Sequence, residues 1–149
     1  MNARISLYWQ NTKALPLLLR VLIQGAMVVT PMFLLLLVLP ISEWEVDGRL
    51  VSYAELWSSG QGFAFAVSLL LVGTGAWGLA ARNAQSRWLL VLSAVAPYFI
   101  VAAFPASGAE PISFAGVVSS VVTAAIFYVG LFRIRSVQEY LALKVAERE

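Results

Sequence analysis

Four long apolar runs, set apart by short polar breaks, make up most of this chain. The first, residues 15–39, reads LPLLLRVLIQGAMVVTPMFLLLLVL and carries no formal charge over the nineteen positions between Arg20 and Pro40. At ~1.5 Å per residue a helix of that length crosses the roughly 30 Å hydrocarbon core of a bilayer. Runs over 62–81, 88–104 and 112–132 repeat the pattern. The pattern predicts an all-α integral membrane protein: a four-transmembrane-helix bundle forming a single domain over residues 1–149.

Inside the first run three residues break the apolar pattern. Arg20 lies one to two turns from its start and can snorkel to the headgroups. Gln24 is a turn deeper, where a hydrogen bond to a neighbouring helix is its expected fate. Pro31 lacks a backbone donor and frees the carbonyl of Met27, so a kink is expected. The basic segment before the run, with Tyr8 and Trp9, has the flavour of a leader. Its apolar run is too long for a signal peptide, and Pro40-Ile41-Ser42 offers no small-x-small cleavage site. An uncleaved first span is the expectation.

Strand periodicity appears once, in the 41–61 loop. Asp47-Gly48 sits between short alternating runs, the signal of a two-residue hairpin. In that register Trp44 faces Val51 and Val46 faces Arg49, which gives one face the side chains of Trp44, Val46 and Val51. Ser52-Tyr53-Ala54-Glu55 has capping-box spacing and predicts a short helix carrying Trp57. An apolar patch on so small a loop is a candidate docking surface.

Small residues mark the expected helix contacts. Thr74 and Gly78 in the second run, and Gly116, Ser120 and Ala124 in the fourth, recur every four positions and let backbones approach closely. Pro97 interrupts the short third run. Beyond 132 the polar-apolar pattern turns amphipathic: Ile134, Val137, Leu141 and Val145 form one stripe along the 133–149 tail. That stripe is the second candidate partner surface, for anionic lipid or for another helix.

Charge gives the chain its direction. Of ten Lys and Arg, nine (Arg4, Lys13, Arg20, Arg82, Arg87, Arg133, Arg135, Lys144 and Arg148) fall on one side of the spans, and only Arg49 falls on the other. The positive-inside rule then makes both termini and the amphipathic tail cytoplasmic and the hairpin loop external. The layout resembles that of small four-span bacterial inner-membrane proteins in general. The net charge of +2 belongs to this asymmetry, so no nucleic-acid partner is expected.

Composition narrows the chemistry further. The chain is 60% hydrophobic and 12% charged, with neither histidine nor cysteine. The commonest metal ligand and neutral-pH base are missing, as are thiolate sites and histidine-ligated haem. Ser93, Ser119 and Ser120 have no acid, Lys or His at their depth to activate them. No catalytic residue, metal site or cofactor is therefore expected. The expected partners are the bilayer and another membrane protein or a second copy of this chain. The leading expectation is a non-enzymatic accessory or assembly subunit. An immunity protein against a membrane-active, pore-forming toxin, or a small oligomeric transporter or channel, are the alternatives.

Overall fold

The computed structural model describes residues 3–40, 44–46, 49–103 and 114–146. These residues are mostly helical. A short helix α1 (Ala3–Thr12) precedes α2 (Leu17–Val38). The turn between them closes with the Leu15 amide on the Thr12 carbonyl at 3.0 Å, and Pro16 then starts α2 with φ of −50°. Proline suits that boundary because its fixed φ is already near helical and its missing donor is not needed there.

The loop after α2 folds into an antiparallel hairpin of β1 (Trp44–Val46) and β2 (Arg49–Val51). Trp44 pairs with Val51 and Val46 with Arg49, the register read from the sequence; the Asp47-Gly48 turn lies outside the described residues. Helix α3 (Tyr53–Ser58) follows, with the Ser52 hydroxyl accepting from the Glu55 amide at 3.3 Å. Gly60, at φ 80°, makes the sharp turn into α4 (Gln61–Ala80), a conformation that costs a Cβ-bearing residue strain.

Helix α4 ends in a Schellman turn. The Asn83 amide reaches back to the Gly78 carbonyl and the Arg82 amide to that of Leu79, both at 2.8 Å. Arg82 occupies the left-handed position at φ 55°, where glycine is the usual choice. The turn leads into α5 (Ser86–Ala103), and α6 (Phe114–Phe132) and α7 (Arg135–Ala146) complete the described chain. Helices α2, α4 and α6 are long and apolar enough to cross a membrane, and α5 is slightly shorter.

Consecutive long helices pack antiparallel as neighbours: α2 on α4, α4 on α5, α5 on α6. Among the described residues only marginal contact, at most, joins α6 back to α2, so the four helices stand as an open row. Helix α4, inside the row, is the most buried of the three long apolar helices, with 33% of the residues in its most apolar stretch buried against 11% for α6.

The reason α4 sits inside is its glycines. A Cβ at Gly73 would stand 2.6 Å from Thr30 Cγ2 of α2, and one at Gly75 would stand 2.8 Å from Leu90 Cγ of α5. A Cβ at Gly78 would collide with the Ser86 hydroxyl. In lipid, helices gain nothing from hiding apolar surface from one another, so such close approach is what holds them. On the α5–α6 side the Ser120 hydroxyl donates to the Ala94 carbonyl.

Candidate interaction surfaces

Two small assemblies cap the row, one at each end. At the hairpin end Val51 and Leu56 are buried with Leu37 of α2, and Trp44, Trp57, Ala66 and Leu69 pack around them. Tyr53 donates from its hydroxyl to the Val38 carbonyl at 3.1 Å, satisfying a group at the end of α2. Trp57 stacks edge-on against Phe63 at 5.0 Å, and Gly62 leaves the room for its ring. The Trp44/Val51 face is thus turned onto the protein's own helices. Val51 is only 3% exposed, and the side chain of Val46 lies outside the described residues. The hairpin's open face shows Leu50, Glu45 and Arg49, with Arg49 paired to Glu55.

At the other end both terminal helices fold under α4. Tyr8 of α1 meets Trp77 edge-on at 5.6 Å, and Asn11 donates to the Ala80 carbonyl at 3.1 Å. Gln24 of α2 donates to the buried Thr12 hydroxyl at 2.8 Å, a bond between α2 and α1. From α7, Val137, Tyr140 and Leu141 enter the main apolar cluster with Ile23, Met27, Leu79 and Leu131. The Tyr140 hydroxyl donates to Leu79 at 2.9 Å, and Arg82 lies over its ring at 5.5 Å. Burial pushes the Tyr140 phenol above its ordinary value of 10.0, with the nearby Arg82 charge and hydrogen bond pulling partly back.

The tail stripe expected from the sequence is therefore divided. Val137 and Leu141 are buried against the chain itself, Ile134 is 44% exposed in the link before α7, and the Val145 side chain lies outside the described residues. The residue that completes the inward face is Tyr140, one helical turn after Val137. Its spacing, i+3 from Val137, is the sequence signal for that face, masked by its being a phenol among polar residues. Thr74 is exposed and bonds to the Leu70 carbonyl of its own helix, so α4 packs through Gly73, Gly75 and Gly78. Trp57 is half-buried in the hairpin cap.

The third surface is α6. Ser120 is buried on α5, with Gly116 and Ala124 half-covered beside it. The opposite side carries Ser119, Val122, Thr123, Ile126 and Val129, all exposed, and a Cβ at Gly130 would meet nothing within 4 Å. Thr123 satisfies its hydroxyl on the Ser119 carbonyl at 2.8 Å. Among the described residues no three His, Cys, Asp or Glu side chains come together.

Set against protein-family models, curated proteins and solved structures, the chain matches none of them.

Proposed function

We propose that the chain is a non-enzymatic, multi-pass inner-membrane protein that serves as an accessory or assembly subunit, binding another membrane protein along α6. In this reading α5 also crosses the membrane, as the third of four spans, and both termini are cytoplasmic, on the side holding nine of the ten basic residues. The observation that carries it is the open row. Helix α6 lies at the row's edge, packed on α5 along one side, with 11% of the residues in its most apolar stretch buried. Its free face combines Ser119, Thr123 and Gly130 with valines and Ile126, a low ridge on which a second helix can pack closely.

The test is purification from native membranes in mild detergent, with Thr123→Trp as the comparison. A stoichiometric membrane partner held by the wild type and lost by a variant of equal thermal stability is the expected result. A wild type that emerges alone and monodisperse overturns the proposal.

A further inference from the structure

We propose that the junction of α5 and α6, at the end where the terminal helices fold under the row, holds the phosphate of an anionic phospholipid headgroup between Arg87 and Arg133. The proposal rests on the chain being membrane-embedded and is independent of any protein partner.

The site is organised around Phe132, the last residue of α6. Arg87 lies over its ring, with Cζ 4.3 Å from the centroid, and Trp88 packs on it at 4.7 Å. Tyr128 stacks on the same ring at 5.0 Å. Arg87 donates from Nε to the Ala84 carbonyl at 3.0 Å and from Nη1 to that of Leu131 at 3.5 Å. These bonds fix the guanidinium yet use only part of its five donors, and among the described residues no carboxylate neutralises it. Arg133 follows directly, exposed and without a side-chain partner among the described residues. By contrast Arg135 is already paired with Glu139 at 2.8 Å.

Depth selects the ligand. Helix α6 carries no charged residue, so the two arginines stand at the level where its span would meet the headgroups. Trp88, 52% exposed, and Tyr128, 39% exposed, supply the amphipathic rings that favour the same layer. The tail cannot reach into the bilayer in their stead, because Val137, Tyr140 and Leu141 are committed to the protein's own core. A guanidinium fixed over Phe132, with the next residue in the chain an exposed arginine whose side chain bonds nothing among the described residues, suits a phosphate, which can accept from both.

The experiment reads Trp88 fluorescence in protein reconstituted into phosphatidylcholine vesicles containing brominated phosphatidylglycerol, or with the bromine on the phosphatidylcholine instead. Subtracting the signal of Trp88→Phe isolates the residue. Brominated phosphatidylglycerol is expected to quench Trp88 beyond its share of the bilayer. Arg133→Gln should reduce that preference roughly fivefold, and Arg87→Gln with Arg133→Gln should abolish it. Because the Arg133 side chain bonds nothing among the described residues, Arg133→Gln tests the site without unfolding it. Arg135→Gln should leave the preference intact. Equal quenching by the two lipids, or equal losses in Arg133→Gln and Arg135→Gln, overturns the site. In neutral detergent, inorganic phosphate should leave Trp88 unchanged; a saturable response there would make it a free-phosphate site and overturn the headgroup assignment. Protein that does not float with the vesicles overturns the membrane reading, an outcome distinct from equal quenching in protein that does.

Discussion

The hydroxyl of Tyr140 donates to the carbonyl of Leu79 at 2.9 Å, joining residues 61 positions apart and tying the last helix to the end of α4. Leu79 belongs to the Schellman turn, so its carbonyl also accepts from the Arg82 amide, and that of Ala80 accepts from Asn11. Removing the Tyr140 hydroxyl therefore strands no buried acceptor. Tyr140→Phe should cost only about 1 kcal/mol. Tyr140→Ala, which empties a 2%-exposed site, should cost about 3–5 kcal/mol. Hydrogen exchange of α7 amides, with denaturation in detergent, checks both.

The same residue predicts a response to alkali. Its phenol is raised by burial, so the folded state holds the proton more tightly than the unfolded state. The stability it contributes is complete below the ordinary value of 10.0 and is lost as pH climbs from there through the raised folded value. Arg82, which faces the ring, moderates the shift. Above pH 10 a protease site placed in α7 should become more accessible in the wild type, and Tyr140→Phe should lack that pH-dependent step.

Glycine substitutions should separate contact from free surface. At Gly73 a methyl meets the buried Thr30, so Gly73→Ala should cost about 1–3 kcal/mol through overpacking. Gly25, also helical, has nothing within 4 Å of its missing Cβ. Gly25→Ala should leave stability unchanged or raise it by up to about 1 kcal/mol. Thermal unfolding in one detergent compares the pair, and equal losses would mean that α2 and α4 do not meet at Thr30.

Trp44 packs with Leu37, Val51 and Leu56, which makes the hairpin a cap on α2 and α4. Trp44→Ala should lower the stability of the isolated protein by about 2 kcal/mol. Partner affinity per folded molecule should be unchanged if binding runs along α6. A variant of wild-type stability with lost affinity would return the docking surface to the hairpin.

Orientation is tested by single cysteines. Ser52→Cys, beside the hairpin, should react with an impermeant reagent added outside intact cells, and Ala84→Cys, in the α4–α5 turn, should react only after permeabilisation. The reverse pattern would place the termini outside.

Helix existence, the hairpin register and the Ser52 cap were legible in the chain because each depends on residues within a few positions of one another. Apolar runs of nineteen or more residues demand helix in lipid, and Asp-Gly between alternating segments specifies its own pairing. What covers each face depends on contacts across the chain, and there the local pattern misled. Trp44 and Val51 read as an open patch until Leu37 was brought beneath them, and the Val137–Leu141 stripe read as a lipid or partner surface until Tyr140 reached Leu79. Thr74 and Gly78 shared the right spacing, yet rotation of α4 against α2 chose Gly73 and left Thr74 exposed. Four apolar runs are equally compatible with a closed bundle and an open row. Only the tertiary contacts set α4 and α5 inside and left α6 at the edge, because each of these four long helices is apolar nearly all round and its own pattern names no preferred neighbour.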